Sequence, residues 1–121
     1  MSNVVVATFV TVDAVMEDPG GSDGFEHGGW QLPFFDQDQA HGVRDELFAA
    51  DALLLGRMTY QHLAAAWPSM TDDDGFADRM NSLPKYVAST TLQEPLAWNA
   101  TLLKGDVAEA IAELKDRKSV V

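Results

Sequence analysis

Short, wholly apolar runs alternate with amphipathic segments along this chain, and that alternation limits the fold more than any other feature. Ala52-Leu53-Leu54-Leu55 carries no polar residue, which is what a strand needs when both of its faces are covered. Residues 4–10 form a longer β-branched and aromatic run of the same kind, and residues 85–90 make a third. Leu102 and Leu103 mark a fourth, short strand. Between them lie helical patterns. Asp36 is placed to cap a helix over residues 36–50, whose Ala40, Val43, Leu47 and Phe48 recur at helical spacing. A second helix runs over residues 59–67 and is stopped by Pro68, and residues 76–80 allow one further helical turn. The last helix is the clearest. Asp106 caps it, Glu109 follows three residues on, and Val107, Ala110, Ile111 and Leu114 form one apolar stripe. Lys115, Arg117 and Lys118 gather at its C-terminal end, where the helix dipole favours cations. Strand, helix, strand is the repeating unit of a parallel sheet closed by right-handed crossovers, so the expected class is α/β. Ser119-Val120-Val121 opens another strand pattern that is too short to contribute much, and the chain reads as stopping before its fold is complete.

With 121 residues the chain is sized for one domain spanning residues 1–121. The charge is the second constraint. Nineteen acids face eight basic residues, giving −11, and no lysine or arginine precedes Arg44. Nucleic acid and anionic membrane are excluded as partners, because a phosphate polymer needs a basic face. There is no cysteine, no apolar run long enough to cross a membrane and no signal-peptide pattern at the N-terminus, which points to the cytoplasm. Glu26, His27 and His41 have no ligand spacing, so no metal site is expected. Asp72 to Asp74 reads as a solvated loop. Residues 11–35, rich in glycine and acids, are too long for an ordinary connection and have the character of a functional loop.

A phosphorylated ligand on so acidic a protein needs a few well-placed cations. Gly56-Arg57-Met58-Thr59 supplies one: a strand ends at a glycine, a helix begins, and the helix N-terminus offers unpaired N–H groups beside a guanidinium and a hydroxyl. The plainer reading is that Gly56 turns the chain, Thr59 caps the helix and Arg57 is solvated. Ser89, Thr90 and Thr91 put hydroxyls at the carboxyl end of another strand, where ligands of open α/β sheets collect.

These stretches, with Phe9-Val10-Thr11-Val12-Asp13-Ala14, Gly28-Gly29-Trp30-Gln31-Leu32-Pro33, Ala65-Ala66-Trp67-Pro68 and Asn81-Ser82-Leu83-Pro84-Lys85-Tyr86, resemble the dihydrofolate-reductase-like superfamily. The nearest branch is the bacterial one akin to the reductase domain of riboflavin-biosynthesis deaminase/reductase proteins. The resemblance implies a three-layer, mostly parallel sheet, incomplete here at its C-terminal edge. It also implies NADPH-dependent reduction of a small heterocycle, an aminopyrimidine of riboflavin synthesis or another small molecule. By position, Gly56, Arg57 and Thr59 would hold the cofactor's adenosine phosphates, and Ser89 and Thr90 would line its 2′-phosphate and ribose side. The backbone at Ala7 and residues 13–16 would border the nicotinamide. In the family a glycine usually follows the aspartate, and Ala14 stands there instead. Trp30, Phe34 and Phe35 are candidates for stacking a substrate ring, although such residues also build ordinary cores. Asp13 and Asp36 are the candidate catalytic carboxylates. Asp36 is out of register with the carboxylate that grips folate, which makes dihydrofolate the less favoured substrate and a helix cap an equal role. A glycine-rich turn that cradles the pyrophosphate is not found in these residues. The exposed edge this leaves predicts strand exchange with a second copy, a homo-oligomer, or a weakly stable monomer. The competing reading is a catalytically inactive nucleotide-binding or self-associating domain.

Overall fold

A computed structural model describes residues 3–71 and 74–121. Asp72 and Asp73, two members of the acidic triplet, lie outside the described residues. The elements in chain order are α1 (Gln37–Ala49), β1 (Leu53–Gly56), α2 (Arg57–Ala66), α3 (Phe76–Ser82), β2 (Lys85–Ala88), β3 (Ala100–Leu102) and α4 (Val107–Lys115). Short 3-10 turns occupy Leu32–Phe34 and Trp67–Ser69. The chain separates into two compact units, one of Met1–Val5 with Arg44–Val121 and one of Val6–Val43.

The first unit holds the sheet. The three strands are parallel in the order β1-β2-β3, with Leu53 opposite Lys85, Gly56 opposite Ala88 and Lys85 opposite Ala100. The apolar run of β1 thus gives the parallel strand its composition calls for, with Leu53 buried and Leu54 and Leu55 half-buried. Leu47 of α1, Leu53 of β1 and Leu83 form the buried core, and Leu55, Phe76, Met80 and Val121 pack on it. Each buried leucine contributes about 2 kcal/mol by removal from water. Arg79 of α3 donates from Nη2 to the Ala50 carbonyl at 2.6 Å and so ties α3 to the turn before β1. Asp106 caps α4 as expected, accepting the Glu109 N–H at 3.0 Å. Helix α2 starts at Arg57, two residues before the expected Thr59, with Gly56 as its N-cap. Thr59 therefore lies inside the first turn and does not cap it.

Two strand expectations require correction. Residues 4–10 do not form a strand buried on both faces. Val4 makes one parallel bridge to Val120, the Val5 N–H donates to the Val120 carbonyl at 2.9 Å, and Val6 and Val10 stand exposed. A β-branched run has strand propensity, but a ladder needs a partner, and the segment around Val120 offers a single bridge. That same segment does more than its length promised. Val120 bridges both Val4 and Ala52 and is almost wholly buried, and the Leu54 N–H donates to the Val121 carbonyl at 2.7 Å.

Burial also reaches one charged residue that strand patterning treats as a boundary. Lys85, first residue of the central strand, has no exposed surface. Its Nζ donates to the Asn81 carbonyl at 3.0 Å and sits 4.0 Å from the centre of the Trp98 ring. Trp98 Nε1 donates to Asn81 Oδ1 at 2.7 Å, and Asn81 Nδ2 donates to the Trp67 carbonyl at 3.0 Å. Desolvation lowers the Lys85 amine from 10.5 to about 8.

Candidate functional site

The carboxyl edge of the sheet gathers the cofactor candidates of the first unit. Gly56 and Ala88 are register partners, so the start of α2 and the Ser89 turn leave adjacent strands side by side. No side chain caps the first turn of α2, which leaves its N–H groups without a side-chain acceptor. Gly56 has φ −80° with extended ψ, and a Cβ there would meet nothing within 4 Å. The chain itself places no demand for glycine at this point, and the space over the backbone is open. Arg57 is exposed, and its Nη1 donates to Gln61 Oε1 one turn on at 3.0 Å, which fans the guanidinium along α2 with donors to spare. Thr59 is exposed two residues later.

Ser89 follows β2 directly. Its Oγ accepts the N–H groups of Thr91 and Leu92, each at 3.1 Å, and lies 3.4 Å from Thr91 Oγ1, so the hydroxyl shapes the turn. Thr90 is exposed beside it. Past β3 comes a cation that sequence reasoning passed over as a site residue. Lys104 is exposed and pairs with Glu94 at 3.4 Å, while Glu94 Oε1 accepts the Leu102 N–H at 3.1 Å and closes the outer edge of β3. Only parallel strand order puts Arg57 and Lys104 on one edge, since 47 positions separate them.

The second unit, Val6–Val43, builds a different kind of site. Asp18 is 4% exposed at φ +47° and organises the long loop around its carboxylate. Oδ1 accepts the Asp23 N–H at 3.0 Å and Oδ2 the Phe25 N–H at 3.3 Å, while the Asp18 carbonyl receives Gly21 and Gly29. A Cβ at Gly28 would run into this carboxylate, so glycine is required there by close approach. The loop, loop-like in sequence, is thus internally bonded. Trp30 completes it, donating from Nε1 to the Glu17 carbonyl at 2.8 Å.

Trp30, so fixed, faces a groove of about 330 Å³ with Phe9 and Phe34, and Thr11, Gln31 and Gln39 supply its polar groups. Pockets of this size and mixed lining hold small ligands. Phe35 does not line it; its ring stands 6.5 Å from that of Phe9, edge to face. Two of the three stacking candidates therefore share the groove, and Phe9 was not foreseen. Ala7 is exposed in the irregular stretch that leads to Phe9.

The Thr11 turn answers the question raised by Ala14. Ala14 occupies the left-handed region at φ +70°, held by Ala14 N–H to Thr11 carbonyl, Thr11 N–H to Val15 carbonyl, both 3.0 Å, and Val15 N–H to Thr11 Oγ1 at 2.9 Å. The turn that glycine would favour forms with alanine, under strain of about 1 kcal/mol. Thr11 Oγ1 donates to Asp13 Oδ1 at 2.5 Å, and this bond, with one from the backbone, holds the Asp13 carboxyl below its ordinary value. Both bonds favour the ionised form of Asp13. Asp36 accepts the Gln39 N–H at 2.9 Å and the Ala40 N–H on its carbonyl at 3.1 Å, the geometry of a helix cap.

Among the described residues no cluster of three or more metal-ligating side chains occurs, and no helix is long and apolar enough to cross a membrane. No curated protein matches the chain. A family model does: the RibD C-terminal domain, the reductase domain of riboflavin-biosynthesis deaminase/reductase proteins, matches residues 2–120. A parallel α/β sheet and a match over nearly the whole sequence lead to one conclusion: the chain belongs to the RibD C-terminal domain family.

Proposed function

We propose that this protein is a cytoplasmic, NADPH-dependent reductase of a small, flat heterocycle. The family is one of reductase domains and supports the reaction class. The observation that carries the cofactor is the carboxyl edge of the sheet, where the uncapped start of α2, the open face of Gly56, Arg57 and the Ser89 turn adjoin. These residues fit a phosphorylated dinucleotide: amides and a helix dipole for a phosphate, and a guanidinium for a phosphate monoester. Lys104 adds a second cation, shared with Glu94. NADPH, when bound, supplies the hydride.

The chain's own contribution is binding and orientation. Trp30, Phe9 and Phe34 stack the substrate ring, while Thr11, Gln31 and Gln39 contact its polar edge. Ionised Asp13 stabilises positive charge near the Thr11 turn, and the proton that accompanies hydride comes from water. An aminopyrimidine of the riboflavin branch is preferred over dihydrofolate, because Asp36 is engaged as the cap of α1.

Fluorescence titration with NADPH and NADH tests the cofactor. Saturable binding that prefers NADPH, and loss of the preference in Arg57→Ala, is the expected result. An unchanged preference in that variant removes Arg57 from the phosphate site, and no binding by folded protein refutes the proposal. A second reading, an inactive self-associating domain, draws on Val6, Val12 and Met16, whose apolar side chains stand in water. Light scattering that gives a dimer or larger species, with cofactor binding but no turnover of any heterocycle, would favour it.

A further inference from the structure

The segment between β2 and β3 is held by side chains, and the way it is held bears on the carboxyl edge of the sheet. Among the described residues, no backbone–backbone hydrogen bond reaches residues 90–97. At one end Ser89 Oγ accepts the Thr91 and Leu92 N–H groups. In the middle Glu94 accepts the Leu102 N–H. At the other end Tyr60, the buried residue of α2, donates its hydroxyl to the Ala97 carbonyl at 3.0 Å. A buried phenol needs a partner, and this one finds it 37 positions away.

The anchor continues into the next two residues. Trp98 and Asn99 stand in the left-handed region at φ +62° and +58°. Two consecutive residues other than glycine keep that conformation only where their surroundings over-determine it. Trp98 Nε1 donates to Asn81 Oδ1 at 2.7 Å, Asn99 Nδ2 donates to the Ser82 carbonyl at 3.1 Å, and the Asn99 carbonyl accepts the Lys85 N–H at 3.0 Å. Residues 90–97 therefore hang between two fixed points. One is the Ser89 turn at the end of β2, and the other is tied to α2 three residues after Arg57.

We infer that Tyr60 and Trp98 are positioning residues for the carboxyl-edge site: by fixing residues 97 and 98 they hold residues 90–97 as a strap, and the strap keeps the Ser89 turn in one arrangement relative to the start of α2. Neither side chain touches the ligand; each acts through the strap. The inference rests on the proposed cofactor site for its ligand and on the hydrogen bonds alone for its mechanics.

The test uses the full chain with Tyr60→Phe, which removes one hydroxyl and keeps the ring, and with Trp98→Phe, which removes the indole donor. Amide hydrogen exchange reads the strap, and fluorescence titration with NADPH reads the site. In each variant exchange at Thr91 and Leu92 should rise about five- to tenfold, the scale of one lost hydrogen bond, with Val87 in β2 unchanged. NADPH affinity should fall by a similar factor. The double variant should lose little more than either single one, since both release the same anchor. Leu47→Val, which loosens the core at α1, should change neither reading, and that separates positioning from a general loss of stability. Faster exchange confined to residues 97–99 overturns the strap. Faster exchange at Thr91 and Leu92 with unaltered NADPH affinity in both variants overturns its role in the site. No NADPH binding by the natural chain refutes the proposed cofactor and this ligand assignment together, whatever the exchange shows.

Discussion

Lys85 gives the sharpest quantitative handle on this fold. The residue has no exposed surface and the amine no ion pair among the described residues; the Asn81 carbonyl accepts from it and the Trp98 ring lies beside it. Burial holds it at about 8 against 10.5 in an ordinary setting. Below pH 8 the folded protein carries a buried charge that the unfolded chain carries in water. Between pH 8 and 10.5 the unfolded state binds the extra proton, so stability rises with pH across that window. At about 1.4 kcal/mol per pH unit, the full swing is on the order of 3 kcal/mol. Lys85→Met keeps the volume of the stem and removes the proton. Urea unfolding of both proteins at pH 7, 8, 9 and 10 isolates the effect, because tyrosines and surface lysines titrate alike in each and cancel in the difference. The natural chain should gain about 3 kcal/mol relative to Lys85→Met as pH rises through the window. Parallel stability curves would refute the reasoning and mean that water reaches the amine.

Three further outcomes are expected. Gly56→Ala should leave stability within about 1 kcal/mol, since its Cβ meets open space, while weakening NADPH by tenfold or more if a phosphate approaches that backbone; unaltered titration curves would argue against the seat. Ala14→Gly should stabilise the Thr11 turn by about 1 kcal/mol by relieving φ +70°, measured as a higher urea midpoint, and no gain would mean the turn is unstrained. Asp18→Asn replaces a carboxylate that accepts two backbone N–H groups by an amide that can serve only one of them well, at a cost of about 1–3 kcal/mol in the loop. Faster amide exchange at Asp23 and Phe25 with unchanged exchange in β2 would confirm that the effect is local.

Much of the architecture was legible because it rests on local rules. The apolar run at Leu53 to Leu55 forms its parallel strand, Asp106 caps α4 through the Glu109 N–H, and Asp36 caps α1. Gly56-Arg57 and the Ser89 turn do lie at the carboxyl ends of adjacent parallel strands, as their position in the sequence led one to expect. What escaped depends on partners distant in sequence. Residues 4–10 have the composition of a strand, yet pairing is a property of two segments, and Val120 supplies one bridge. The same dependence makes three C-terminal residues central, because Val120 sits between Val4 and Ala52. Composition cannot tell that a lysine opening a strand will be wholly buried, nor that Asp18, among five loop acids, is the buried one that gathers the backbone N–H groups. Phe9, Gln31 and Gln39 become a groove only when the loop folds back on itself. By itself the sequence determined the class of the sheet and the caps of α1 and α4, all set within a few residues of chain. Tertiary structure decided which strands find partners, which charge is buried and where a groove opens, because those follow from contacts that no single segment contains.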